Sequence, residues 1–197
     1  MQPADDVQLG GPPGVRLPGP LLLAALLPMA SAAMAADYIQ AAGSSLVFAG
    51  SYQGQVFTGR FPDFSTRLTF DPAQLATSKL DVTIPLASAT TANADYDTQM
   101  RGDAFFDAGR FARAHYVATK FRALGDNRYA ADGTLTLHGV SKPVTLTFTW
   151  TPGAQPVLSG KATVKRLEFG VGGGDWADTS LIPDAIAVST KVVLKAR

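Results

Sequence analysis

The residue types that usually carry catalysis are scarce in this chain. There is no cysteine, which excludes disulfides, thiolate metal sites and a cysteine nucleophile. There are two histidines, His115 and His138, and one glutamate, Glu168; the other acids are all aspartate. The histidines lack metal-ligand spacing, and no G-x-S-x-G elbow is present. Asp95-x-Asp97 lacks the further ligands of a calcium loop and reads more simply as acids at a helix start. Gly172-Gly173-Gly174 lacks the GK[ST] of a phosphate loop and reads as a turn or a lid. Lys165 and Arg166 could meet an anionic head group, with a solvated strand edge as the simpler reading. His138, beside Gly139, reads as a surface residue at a turn, whereas His115 could sit at the mouth of a binding site. This inventory points to binding rather than to chemistry: no enzymatic activity, cofactor or metal is expected.

The elements that must position these residues have a period of two. Phe64, Thr66, Leu68 and Phe70 alternate with Ser65, Arg67 and Thr69. Leu80, Val82, Ile84 and Leu86 alternate with Lys79, Asp81 and Thr83, and Val144, Leu146, Phe148 and Trp150 with threonines. These are half-buried antiparallel strands. Six further stretches follow the same rule, Ser45 to Ser51, Val56 to Phe61, His115 to Leu124, Arg128 to His138, Val157 to Glu168 and Asp184 to Lys195, giving about nine strands. Turn chemistry at Asp71-Pro72, Gly125-Asp126-Asn127, Ser141-Lys142-Pro143 and Pro152-Gly153 separates them. Residues 87–114 break the alternation, with a short helix expected over Asn93 to Arg101. Many short strands in one domain predict a barrel or a sandwich. Composition does not decide between a packed interior and a ligand pocket.

The first segment is read as separate from the fold. Residues 17–36 run from apolar Leu21–Leu27 into small residues with Ala33-Met34-Ala35, the layout of a secretory signal peptide, which implies export. The Gly- and Pro-rich residues 1–14 look like added sequence, with the natural start expected at or near Val15. With 46% hydrophobic and 17% charged residues the chain suits a globular domain, and a formal net charge of +1 gives no basic field for nucleic acid. A transmembrane barrel is disfavoured, because Arg67, Lys79, Asp81, Lys120, Arg122, Lys161 and Lys191 lie opposite the apolar face and would crowd a narrow lumen.

The run Gly133 to Leu146, GTLTLHGVSKPVTL, resembles a signature of the YceI-like family of periplasmic polyisoprenoid-binding proteins. LTFDP at Leu68 to Pro72, the stretch from Ile84 through Thr91, DYDTQMRGDAFFD at Asp95 to Asp107 and RLEFGV at Arg166 to Val171 resemble other family landmarks in the expected order, over essentially all of 37–197. Two features depart from the pattern. GVGGGDWADTS, from Gly170, is unusually Gly-rich, and Gln99 and Met100 precede Arg101 where many members have His or Lys.

The resemblance implies an all-β, extended eight-stranded antiparallel lipocalin-like barrel with a short helix in the central loop. It implies an elongated apolar cavity for a long-chain isoprenoid or similar lipid, and a periplasmic carrier as function. The alternatives are an accessory quinone- or lipid-binding module for a membrane redox or stress-response system, and a lipid-modifying enzyme. No nucleic-acid partner and no stable membrane insertion are expected; an exposed edge strand would permit a homodimer. Alternation places Phe48, Phe61, Phe70, Ile84, Phe121, Leu137, Phe148 and Trp150 on the cavity wall. Arg101, Phe105, Phe106, His115 and Trp176 are expected at the mouth, where 87–114 and 170–183 interrupt a regular wall.

Overall fold

The computed structural model describes residues 36–197; the leader reading and the expected start at Val15 lie outside the described residues. Ten antiparallel strands fill eight positions around a closed ring. They are β1 (Ala36–Gln40), β2 (Ser45–Tyr52), β3 (Gln55–Arg60), β4 (Ser65–Phe70), β5 (Lys79–Pro85), β6 (Arg113–Gly125), β7 (Arg128–Leu137), β8 (Val140–Thr151), β9 (Val157–Lys165) and β10 (Ala185–Ala196). β1 and β2 share one position: both run along β10, with Gln40 opposite Leu194 and Ser45 opposite Lys191. The interruption is a short bulge at Gly43-Ser44. Gly43 takes φ +87°, and Ser44 Oγ donates to Ala41 O and accepts from Val193 N, which keeps the backbone satisfied. β3 and β4 return along β2 and β1 as the neighbouring position. The β1–β10 pairing closes the ring.

The expected barrel is therefore present, with two local differences. Ser141-Lys142-Pro143 is not a turn but part of β8; the turn is His138-Gly139, both at positive φ. Pro143 is tolerated there because β9 pairs with β8 only from Thr147 onward, leaving that edge without a partner to demand an N–H. β9 ends at Lys165, and Arg166–Phe169 forms a 3₁₀ turn. A bulge between Ala118 and Lys120 shifts the phase of β6, so Ala114, Tyr116 and Ala118 point inward before it and Phe121 after it.

The two ends of the barrel differ. At one end, Phe70 stands at the centre of an aromatic cluster, with ring centroids 4.9 Å from Trp150, 5.1 Å from Tyr129, 5.7 Å from Phe148 and 5.9 Å from Phe121. Tyr38 adds a further contact to Trp150. At the other end lie the β2–β3 and β7–β8 turns and two long connections. One carries α1 (Ala94–Arg101), capped by Asn93, whose side chain accepts from the N–H groups of Asp95 and Tyr96. The other is 166–184. Outside the ring, Arg67, Lys79, Lys120, Lys161 and Lys191 are all exposed, the opposite of a lipid-facing wall. No helix among the described residues is long and apolar enough to cross a membrane.

Candidate functional site

A cavity of about 450 Å³ occupies the barrel on the side of the long connections. Its wall follows from strand alternation. β5 contributes Leu80, Val82 and Ile84; β9 contributes Leu158, Ala162 and Val164; β10 contributes Ile186, Val188, Thr190 and Val192. Several of these apolar side chains, including Val82, Ile84, Val164 and Val188, are only half-buried although they point inward. They face open space rather than packed atoms. The cluster at the closed end is different: Phe70 and Phe148 are each 1% exposed and have no free surface to offer.

Shape is set partly by glycine. A Cβ at Gly133 would stand 2.6 Å from the Tyr116 ring and 2.6 Å from Val117 O, so only glycine lets that ring lie across β7. From there the Tyr116 hydroxyl donates to Ala131 O at 2.8 Å or Val144 O at 3.1 Å. Burial pushes its pKa well above the ordinary value, so it stays a neutral donor. Gly59 likewise makes room for the Phe48 ring, which packs on Phe61 at 5.1 Å.

The two connections form the cap. Tyr96, Gln99 and Met100 of α1, Phe105 and Phe106 after it, and Trp176 from the other connection all line the cavity. Phe105 meets Trp176 at 5.4 Å, Phe106 meets Phe61 at 5.8 Å, and Tyr52 meets Trp176 at 6.3 Å. Each connection is held by one buried charge. Asp97 accepts from Thr90 Oγ1 (2.7 Å), Thr91 N (2.6 Å) and Thr91 Oγ1 (2.8 Å). These bonds, the Thr90 hydroxyl foremost, hold its carboxyl below the usual carboxylate range, and Arg101 adds a weaker pull at 3.7 Å. Arg166, 4% exposed, spends all five guanidinium N–H donors on backbone carbonyls: Nε on Pro183, Nη1 on Val171 and Gly172, Nη2 on Trp176 and Ile182.

The expected site residues divide by height along the barrel. Phe48, Phe61, Ile84 and Leu137 line the cavity. Phe70, Phe121, Phe148 and Trp150 do not: they pack together at the closed end, beneath the lowest lining side chains. Alternation gives the face of a strand but not the level along it at which side chains stop filling the interior. At the mouth, Phe105, Phe106 and Trp176 line the cavity. Arg101 does not; its Nη2 donates to Ala89 O at 3.2 Å and ties α1 to the preceding turn. His115 points outward, its Nε2 2.9 Å from Asp81 Oδ1, because it alternates with inward Ala114 and Tyr116. His138 is not a free surface residue either. Its ring packs on Phe111 at 4.8 Å, and Nδ1 donates to Phe169 O at 3.2 Å. Lys165 stays outside, 3.5 Å from Glu168, whereas Arg166 turns inward; a pair of basic residues in sequence gives no sign of that division. Among the described residues no group of three or more His, Asp or Glu side chains could hold a metal ion.

The model of the YceI-like domain matches residues 38–194. The chain belongs to the YceI-like family. A UPF0312 protein of Vibrio vulnificus is 38% identical over 128 residues, covering 63% of this chain and 68% of the relative. Among solved structures, BcnA of Burkholderia cenocepacia shares 31% identity at a TM-score of 0.73, covering 76% of this chain and 95% of BcnA. A polyisoprenoid-binding domain from Saccharophagus degradans superposes with a TM-score of 0.64 over 83% of this chain and 99% of that domain. At 18% identity that likeness is one of fold.

Proposed function

We propose that this YceI-like protein is a periplasmic carrier that holds the apolar chain of an isoprenoid-type lipid in the barrel cavity. The observation that carries this reading is the chemistry of the wall. It is apolar nearly throughout, and its one buried cation, Arg166, already has every donor engaged by a carbonyl. Its polar groups, Asp95 and Gln99 among them, sit at the cap, so the wall below offers little to grip a polar molecule with but rewards a chain. Transfer of apolar carbon from water is worth about 0.8 kcal/mol per CH₂. The Saccharophagus degradans domain, described as polyisoprenoid binding, supports the ligand class. The leader-like residues 17–36, just ahead of the family match at 38–194, support export. The protein is read as a binder rather than an enzyme because no histidine lines the cavity and the carboxylate beside its Thr91 hydroxyl, Asp97, is committed to holding the cap through Thr90 and Thr91.

Tryptophan emission tests this directly. Trp176 lines the mouth, so titration with farnesol, a three-unit prenol, should shift its emission saturably. Trp176→Phe should reduce that signal to what Trp150 in the cluster at the closed end reports, while calorimetry still reports binding. Absence of saturable binding by both methods overturns the reading.

A further inference from the structure

We infer that the aromatic cluster at the closed end is a floor that limits the enclosed part of the ligand to about three to four prenyl units, an estimate that follows from the depth of the cavity and the advance of an extended chain. This rests on the reading of the cavity as a lipid-chain site and adds to it a length. On β10 the side chains that face the cavity run from Ile186 to Val192; the next inward residue, Leu194, is fully buried. That stretch of strand measures roughly 20 Å at about 3.3 Å per residue. Strand tilt in such barrels reduces the depth along the axis to roughly 15 Å. An extended chain advances about 1.2 Å per bond, as the peptide backbone does at three bonds per residue, so this depth takes roughly 12–16 main-chain carbons, about four per prenyl unit.

The floor is made of atoms that do not yield cheaply. Phe70 is surrounded by Phe121, Tyr129, Phe148 and Trp150, and protein interiors are packed as densely as organic crystals. Tyr129 stacks on Phe148 at 5.6 Å, closing the floor from the β7 side. A longer chain must therefore leave through the cap between α1 and 170–183. Its additional units bury no more wall.

The test is a chain-length series on the intact protein. Prenols of two, three, four and eight units, presented in cyclodextrin, are titrated by tryptophan emission and by calorimetry. Affinity should rise roughly tenfold or more per added unit up to three or four units and then change by less than about threefold up to eight, since apolar burial sets the gain. An eight-unit prenol that binds more than tenfold tighter than the four-unit one overturns the floor while leaving the lipid reading intact. Failure of every prenol to bind overturns the lipid reading itself. Phe148→Leu adds a second arm: Phe148 follows the wall residue Leu146 on the same face of β8, so shortening it should deepen the pocket, with persistence of the fold checked by thermal unfolding. The ratio of four-unit to three-unit affinity should then increase at least threefold. An unchanged ratio in a folded variant also overturns the floor.

Discussion

Replacing Arg166 by alanine should loosen one side of the cap and weaken the whole barrel. The side chain donates to five carbonyls spread over Val171, Gly172, Trp176, Ile182 and Pro183, so one residue fixes the course of the 170–183 connection. A hydrogen bond from a charged group contributes about 1.5–3 kcal/mol net. Five such bonds cannot simply be added, because removing the guanidinium from water costs several kcal/mol, and an opened loop returns some carbonyls to water. Burial, opposed by the nearby carboxylate of Asp184, accordingly lowers the Arg166 pKa. We expect a loss of about 3–5 kcal/mol, the range for breaking a buried charged network. At about 2–4 °C per kcal/mol, this lowers Tm by roughly 6–20 °C. Hydrogen exchange should localise the effect: the Gly172, Trp176, Ala177 and Ile182 amides, now bonded to Ala104, Gly173, Gly174 and Asp178, should exchange at least about tenfold faster, as a local opening 1.4 kcal/mol easier requires. Arg166→Lys keeps the charge but supplies three donors from one point and should recover less than half of the loss. A Tm within about 2 °C of the parent protein, with unchanged exchange in 170–183, would refute the assignment of Arg166 as the organiser of the cap.

Three further outcomes follow from the same geometry. Asp97→Asn should destabilise the protein at neutral pH and much less in acid. A carboxyl with a depressed folded-state pKa contributes its full stability above the ordinary value of 3.8 and loses it as pH falls through the lower folded-state value; in urea melts the gap between the two proteins should be smaller at pH 3 than at pH 7. Gly133→Ala should cost about 1–3 kcal/mol, because the added methyl meets both the Tyr116 ring and Val117 O at 2.6 Å; a Tm equal to that of the parent would contradict this. Phe106→Ala and Trp176→Ala separate gating from anchoring. Both are half-buried in the cap, so stopped-flow lipid exchange should accelerate at a stability cost below the roughly 3–5 kcal/mol of a fully buried aromatic, and unchanged exchange in both variants removes the gate.

Much of the barrel was legible because strand alternation is a two-state signal. Arg67, Lys79 and Lys120 point outward and Phe48, Ile84 and Leu137 inward, as their phase requires. Phe121 shows how a bulge enters: the extra residue between Ala118 and Lys120 reverses the parity of everything after it. What alternation does not carry is depth. Phe148 and Leu146 occupy the same face of β8, yet one is in the floor and the other in the wall, and only the convergence of Phe70, Tyr129 and Trp150 from distant strands separates them. Val188 and Ile186 were missed as wall residues for a simpler reason: β10 is mildly apolar and contains no aromatic to draw attention. Arg166 and Asp97 were opaque because their partners are backbone carbonyls and threonines brought together by loops without periodicity.

Mass spectrometry of the lipid extracted from protein purified from its native host addresses the central claim most directly. A control variant, Ala162→Phe, fills the wall of the cavity with a ring while leaving the outer face untouched. The account predicts a stoichiometric prenyl-chain lipid on the parent protein and its loss from the filled, folded variant. A parent protein that carries no lipid, or a variant that retains the same lipid in the same amount, would contradict it.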